Sequence, residues 1–318
     1  MCNYAAFGGV LRSELAFPEL AIADSAPVDW TLRVAANPPD ESINPIGERR
    51  VREETYRTYG TADGFRLDYS HAGVFDVVRN GSEITWHPSP DASAELARAI
   101  VLGPVLALAL EISGHLCLHG SAIEIADRGI ALLGPKHHGK STLAVALTNA
   151  GARFLGDDTI AVRVGPPAVL RPGIGSVRLW EDAARELRVR DLCDTVLDGV
   201  KATASGFAEP ALRRSEVALG AVYVLEPVAP EEATAPVRRS SIAPVAAAVA
   251  LSHHAKLPDP LVGYQAAGAR LRAAVAVAAT VPVYALHVAR DFVLLPAAVE
   301  QIFDWHCGES HSPGPVGS

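Results

Sequence analysis

A glycine-rich segment near the middle of the chain constrains the fold more than any other feature of the sequence. Residues 134–142 match the pattern G-x-x-x-x-G-K-[ST]; they are Gly134, Pro135, Lys136, His137, His138, Gly139, Lys140, Ser141 and Thr142. This pattern is informative only between a strand and a helix. An apolar run precedes it at 130–133, and residues 140–150 repeat apolar side chains at helical spacing. We therefore predict a strand, a phosphate-binding loop and a helix; the alternative is an ordinary strand–turn–helix corner.

The sequence of the loop indicates how a nucleoside triphosphate would be bound. Glycines let backbone N–H groups face phosphate oxygens, and a helix N-terminus adds positive partial charge. By the chemistry of such loops, Lys140 would reach the β- and γ-phosphates and the Ser141 hydroxyl would bind Mg²⁺. His137 stands where many such loops carry another glycine, and histidine tolerates left-handed backbone geometry. We interpret His137 and His138 as loop side chains, with a contact to phosphate or acceptor as the alternative.

Two adjacent carboxylates supply the second part of the expected chemistry. Asp157 and Asp158 follow a short apolar strand at 154–155. One carboxylate can hold Mg²⁺, directly or through water, and the other can take a proton from an acceptor hydroxyl. The alternative is that both only cap a turn before Thr159. His119 lies on a strand predicted over 116–125, which we expect to pair with the strand feeding the loop; composition alone favours a core histidine.

The order Leu118-His119-Gly120, glycine loop, Gly156-Asp157-Asp158 resembles the HPr kinase/phosphorylase family over about 50 residues, 116–164. The resemblance implies an α/β fold, with a P-loop kinase core of the HPr kinase/phosphoenolpyruvate carboxykinase type and a smaller N-terminal β-rich module. It implies ATP and Mg²⁺ as cofactors. Carried over by position, Asp157 becomes the base, Asp158 a metal ligand beside Ser141, and His119 the support of the base. The two aspartates could exchange roles.

The chain lacks the Arg-Gly-Leu-Gly-Ile stretch that the family carries after its acidic strand. It is more similar to divergent members found with lasso-peptide and related pathways, which phosphorylate a precursor peptide on serine. This resemblance implies a serine kinase acting on a precursor peptide or small protein, with Arg171 and Arg178 as candidate phosphate or acceptor contacts. HPr kinase/phosphorylase activity is one alternative. A non-catalytic nucleotide sensor is another, although such a sensor has no need of a proton acceptor.

Composition excludes several classes of protein. The 318 residues are 49% hydrophobic with a net charge of −8, which favours a globular protein over a disordered chain or an electrostatic binder of nucleic acid or membranes. The apolar run at 99–110 is too short for a membrane span and contains Pro104. The four cysteines form no C-x-x-C pair, and the N-terminus lacks the pattern of a signal peptide, so we expect a cytoplasmic protein. Homo-oligomerisation stays open.

Turn residues and short strand-like runs at 1–92 predict a small antiparallel β module, with a type I′ hairpin at Asn80-Gly81. A helix should follow to about Ser113, kinked near Gly103-Pro104. We assign residues 93–305 to the kinase domain and 306–318 to a disordered tail.

The use of lysine and histidine is also informative. Only four basic residues are lysine, at 136, 140, 201 and 256, and two of these lie in the glycine loop. The histidines at 253, 254, 306 and 311 fit no zinc spacing.

Overall fold

An eight-stranded sheet forms the first part of the fold, and along β7 and β8 buried side chains alternate with more exposed ones. A computed structural model describes residues 1–23, 27–36, 44–51, 54–189, 192–194, 201–205, 216–257 and 259–308. The strands of this first sheet are β1 (Cys2–Ala6), β2 (Gly9–Ser13), β3 (Trp30–Val34), β4 (Gly47–Val51), β5 (Glu54–Gly60), β6 (Gly64–Tyr69), β7 (Gly73–Val78) and β8 (Glu83–Pro88). Their order is β1-β2-β3-β8-β7-β6-β5-β4, so β4 lies at an edge.

The first sheet is mixed, so the prediction of an antiparallel module was wrong in part. β3 runs parallel to both β2 and β8. Parallel neighbours need long connections, and the long segments before and after β3 provide them. The hairpin at Asn80-Gly81 is confirmed between β7 and β8. Its turn is not type I′, because only Gly81 has a left-handed φ, +77°.

An interrupted helix closes the core of the first sheet. It consists of α1 (Ala94–Ile100), a π-helical turn at Val101–Val105 and α2 (Leu106–Ile112). The interruption contains Pro104, which has no N–H to donate, and this confirms the predicted irregularity. Leu106 and Phe75 belong to the same buried cluster. The helix therefore shares its core with the first sheet, although it follows the domain boundary predicted at residue 92.

The rest of the chain combines strands and helices, but the predicted strand–helix alternation is wrong in part, because several strands follow one another without an α-helix between them. The strands are β9 (His115–Leu118), β10 (Gly120–Ile125), β11 (Arg128–Leu133), β12 (Arg153–Asp157), β13 (Ile160–Arg163), β14 (Val169–Arg171), β15 (Ser176–Trp180), β16 (Leu192–Asp194), β17 (Lys201–Ser205), β18 (Val217–Val228), β19 (Val237–Ser241) and β20 (Val283–Ala289). The α-helices are α3 (Lys140–Asn149), α4 (Glu181–Glu186), α5 (Pro244–His253), α6 (Asp259–Ala278) and α7 (Leu295–Cys307).

Nine of these strands form a second sheet that folds back on itself. Its path is β12-β10-β11-β18-β14-β13-β9, with β20 beside β18 and β19 beside β20, while β15, β17 and β16 form a separate small sheet. β9 and β10 lie far apart along this path, yet His119 alone separates them in the chain. β12 and β13 are likewise separated only by Asp158 and Thr159. Both ends of the path therefore meet at these short connections.

Helices cover the second sheet on both faces. α3 and α7 bury residues such as Leu143 and Ile302 in one cluster, and α5 and α6 bury Leu251 and Val277 in another. Along the described helices, none combines the length and apolarity needed to cross a membrane. The predicted tail begins at residue 306, but α7 continues to Cys307, and residues 309–318 lie outside the described part of the chain.

Candidate nucleotide and phosphoryl-transfer site

The glycine loop connects β11 to the first residue of α3. Gly134, His137 and Gly139 all have positive φ angles, +147°, +71° and +84°. The left-handed geometry expected of His137 is therefore confirmed. A Cβ on Gly134 would lie 3.3 Å from the Leu225 carbonyl oxygen of β18, which is tighter than most real contacts. The sequence places glycine where the turn and this close approach require it.

Side chains of the glycine loop contact the loop backbone and the neighbouring strands β18 and β15. The Lys140 Nζ donates hydrogen bonds to the carbonyl oxygens of Gly134 at 2.8 Å and Pro135 at 3.0 Å. The His138 Nδ1 lies 3.0 Å from the Leu225 carbonyl oxygen, so it carries the proton and donates. The His137 ring stacks on Trp180 of β15, with 5.0 Å between the ring centres. Both histidines thus make contacts that fix the loop.

Asp157, the last residue of β12, faces the start of α3. Its Oδ1 accepts hydrogen bonds from the hydroxyls of Ser141 at 2.9 Å and Ser121 at 2.6 Å. Its Oδ2 accepts a third from the Arg178 backbone N–H at 3.2 Å. Ser121 opposes Asp157 across the antiparallel β10–β12 pair, so sheet register brings the two together. The carboxylate is therefore held against the Ser141 hydroxyl by two neighbouring strands.

Asp158 lies just beyond the strand with a left-handed φ of +69°. Its Oδ1 lies 2.5 Å from an Arg178 guanidinium nitrogen, and its Oδ2 lies 2.5 Å from the Lys256 Nζ. Burial raises the pKa of this carboxyl, but the charges of Lys256 and Arg178 and the contact with His119 outweigh it. The pKa of Asp158 consequently lies well below its ordinary value, and the group is ionised at neutral pH.

His119 occupies the break between β9 and β10, not the middle of a strand. The single strand predicted over 116–125 is therefore wrong at this residue. The His119 Nδ1 lies 3.0 Å from the Asp158 carbonyl oxygen, which can only accept, so Nδ1 carries a proton. The same nitrogen lies 3.4 Å from Asp158 Oδ1. In the neutral imidazole, the partly exposed Nε2 is then an acceptor.

These residues line a cleft of about 920 Å³, within the range typical of small-molecule sites. Loop and acidic residues line one end. The remaining walls come from β15, α4, β18, β20 and the segment before α7, and the polar or aromatic side chains among them are Arg178, Trp180, Glu181, Asp182, Arg185, Arg290, Asp291 and Phe292. The cleft therefore has a polar end beside the loop and an aromatic and charged wall away from it.

A second cavity, of about 530 Å³, lies on the other side of the loop. His119 and Asp158 line both cavities. Gly134 and Pro135 line only the second cavity, whereas the following loop residues line only the first. The loop therefore separates two cavities, and the His119–Asp158 pair lies where both have access.

The structure brings most of the expected site residues together. Residues 136–142, His119, Asp157 and Asp158 line the first cleft, with Arg178 beside them. Arg171 does not lie there: its guanidinium contacts His115 and lies over the Trp30 ring. Sequence reasoning missed Ser121, Trp180 and Lys256. Lys256 follows no motif; the only signal was its being one of four lysines in a chain rich in arginine.

In the described part of the chain, no group of three or more His, Cys, Asp and Glu side chains is arranged to hold a metal ion. His306 instead makes a 2.8 Å hydrogen bond with the Tyr223 hydroxyl. His253 and His254 line the second cavity, and His311 lies outside the described residues.

Comparison with known proteins gives matches among solved structures but none at the level of sequence. Neither the protein-family models nor the curated protein sequences contain a match to this chain. Among solved structures, the chain is similar to the HPr(Ser) kinase/phosphatase from Coxiella burnetii, with 14% sequence identity and a TM-score of 0.30. The match covers 62% of this chain and 99% of that chain. These values indicate a distant structural relationship.

Proposed function

We propose that this chain is an ATP- and Mg²⁺-dependent kinase that phosphorylates a serine hydroxyl of a peptide or small protein. The observation that carries the proposal is the meeting of the Ser141 hydroxyl and the Asp157 carboxylate at the N-terminus of α3, directly after a glycine loop. A cleft large enough for a nucleotide opens there, and a second, ionised carboxylate stands beside the first.

The loop would bind the triphosphate. Its left-handed residues have the backbone geometry that lets N–H groups face phosphate oxygens, and the start of α3 adds positive partial charge. Lys140 is already held at the loop by two carbonyl oxygens, so its ammonium is preorganised near the expected phosphates. Trp180, stacked on His137, offers an aromatic wall for the rest of the nucleotide.

Ser141 and Asp157 fit the requirements of Mg²⁺. A hydroxyl and a carboxylate oxygen are hard ligands, and Mg²⁺ in nucleotide sites typically takes one or two protein ligands besides phosphates and waters. When bound, the ion would neutralise charge on the phosphates during transfer. We therefore favour Asp157 as the metal ligand and Asp158 as the base. This is the exchange of the two roles that the sequence left open.

Asp158 would then face the acceptor. Its low pKa keeps the carboxylate ionised, so it can accept a hydrogen bond from the acceptor hydroxyl and orient the oxygen for attack on the γ-phosphorus. As the new O–P bond forms and the bond to ADP breaks, the hydroxyl proton passes to this carboxylate. A weak base suffices because the transition state of phosphoryl transfer is loose. His119 positions Asp158 through its backbone carbonyl.

The acceptor we propose is a ribosomal precursor peptide of the lasso type, and the support for it is the sequence resemblance alone. HPr is the alternative acceptor. A cytoplasmic location, expected from the scattered cysteines, belongs to the same proposal.

Transfer of labelled phosphate from [γ-³²P]ATP tests the proposal with the full-length protein, Mg²⁺, serine-containing peptides and HPr as acceptors. We expect Asp158→Asn to abolish transfer while ATP still binds. Asp127→Asn is the matched control, because Asp127 occupies an exposed left-handed turn that asparagine also tolerates. Phosphorylation of HPr alone would favour the alternative acceptor. Tight ATP binding without transfer to any acceptor would favour a nucleotide sensor and refute the kinase.

A further inference from the structure

We propose that the second cavity receives the acceptor, and that the acceptor segment is acidic, with a carboxylate close to the serine that is phosphorylated. This inference rests on the proposed function and names the substrate class of the same site. It assigns a role to Arg49 of the first sheet, which no sequence motif indicated.

The arrangement of the two cavities supports separate entry of nucleotide and acceptor. The glycine loop and the start of α3 line the first cleft, where the nucleotide is proposed to bind. The second cavity lies behind Gly134 and Pro135 and reaches the same Asp158 carboxylate. A hydroxyl entering through it would therefore approach Asp158 without crossing the nucleotide. His119 lies at the same junction and marks where the two substrates would meet.

The walls of the second cavity carry more positive than negative charge. Arg49 and Lys256 line it, and among the residues that the structure describes Asp158 is the only acidic one that does. Asp158 is already shared between Lys256 and Arg178, so two cations face one carboxylate. Within the described residues, Arg49 makes no ion pair, and its side chain is exposed. An anionic segment would thus meet a complementary surface at the mouth of the cavity.

Arg49 reaches the cavity because of its position in β4. This strand forms an edge of the first sheet and packs beside α6. Side chains alternate between faces along a strand, so Arg49 and Arg50 point to opposite sides. Only Arg49 lines the cavity. The chain therefore contains its own matched control, an exposed arginine of the same strand that does not line the cavity.

The experiment compares two short synthetic peptides, one with a serine followed by two aspartates and one with the aspartates replaced by asparagines. Their kcat/KM values are measured with the full-length protein and with Arg49→Gln and Arg50→Gln. We expect the wild type to prefer the aspartate peptide by about tenfold, the scale of one charge-assisted hydrogen bond. Arg49→Gln should remove most of this preference, and Arg50→Gln should keep it.

The preference is also measured as binding, by fluorescence anisotropy of the labelled peptides in the presence of a non-hydrolysable ATP analogue. Equal kcat/KM or equal affinity for the two peptides in the wild type would overturn the inference, as would a preference untouched by Arg49→Gln. If the asparagine peptide is phosphorylated equally well, the kinase proposal stands and only the acidic acceptor fails. If neither peptide nor HPr is phosphorylated and the ATP analogue does not bind, the proposed function fails, and this inference fails with it.

Discussion

The Ser141 hydroxyl donates a 2.9 Å hydrogen bond to the Asp157 carboxylate. Residues from two different elements, the start of α3 and the end of β12, thereby converge on one point beside the glycine loop. Asp157 is held there by Ser121 as well, so its position does not depend on Ser141. Either residue can therefore be changed while the other keeps its place.

Ser141→Ala should weaken the Mg²⁺ dependence of nucleotide binding. The change removes one of two proposed oxygen ligands, and we expect the affinity for Mg²⁺ in the presence of ATP to fall by about ten- to a hundredfold. A Mg²⁺ titration in the presence of ATP, monitored by isothermal titration calorimetry, measures this. Thr148→Val is the control, since within the described residues the Thr148 hydroxyl bonds the Ala144 carbonyl on the same helix and nothing at the proposed metal site. An unchanged titration in Ser141→Ala would contradict the proposed metal site.

Lys256→Met should destabilise the protein through Asp158. The lost ammonium leaves the carboxylate with Arg178 and His119 only, and we expect a cost of about 1–3 kcal/mol in the free energy of unfolding. Urea denaturation measures it at neutral pH. In the double variant Lys256→Met/Asp158→Asn the cost should be smaller than the sum of the single effects. Additive effects would mean that the 2.5 Å contact between the Lys256 Nζ and the Asp158 Oδ2 contributes nothing to stability.

The stability of the wild type should fall as the pH drops from 6.5 towards 4, partly because of His254. Burial, with the nearby Lys140 charge, lowers the pKa of His254 from 6.5 to about 4. Between these two pH values the unfolded chain binds a proton that the folded chain does not, so the stability that neutral His254 contributes above pH 6.5 is lost as the pH falls through this window. Urea denaturation at several pH values should give a flatter profile for His254→Gln. His71→Gln, at an exposed turn, should keep the wild-type profile.

Trp180→Ala should weaken ATP binding by about tenfold, because the indole both stacks on His137 and lines the cleft proposed to bind the nucleotide. Isothermal titration calorimetry measures the affinity. Trp180→Phe keeps an aromatic ring in place and should retain most of the affinity for ATP. Equal affinities for wild type and Trp180→Ala would remove Trp180 from the nucleotide site.

Local patterns predicted the elements around the site well. The helix expected at 140–150 is α3, and the strand expected at 130–133 lies within β11. Both could be predicted because the glycine loop, the apolar spacing of the helix and the glycine that ends it are all local signals. The close placement of Asp157 beside Ser141 follows from strand pairing, which links Asp157 to Ser121, 36 residues away. Such pairing depends on register, and the sequence contains no local signal for it.

The partners of Asp158 show where sequence reasoning stops. Lys256 lies 98 residues away in the chain, after α5, and reaches Asp158 only because α5 and the sheet are packed together. The parallel pairing of β3 was missed for the same reason, since the sequence of a long connection does not indicate which strands it brings together. The roles of His119, Asp157 and Asp158 stay predictions until the variants are measured.

His119 and Asp158 each lie where the chain passes from one half of the folded-back sheet to the other, and they are bonded to each other. The two short connections are therefore tied to each other by this bond as well as to the strands on either side of them, and a shift of one half of the sheet relative to the other would strain it. The His119 imidazole thus joins two parts of the sheet beside the one- and two-residue turns through which the backbone itself connects them.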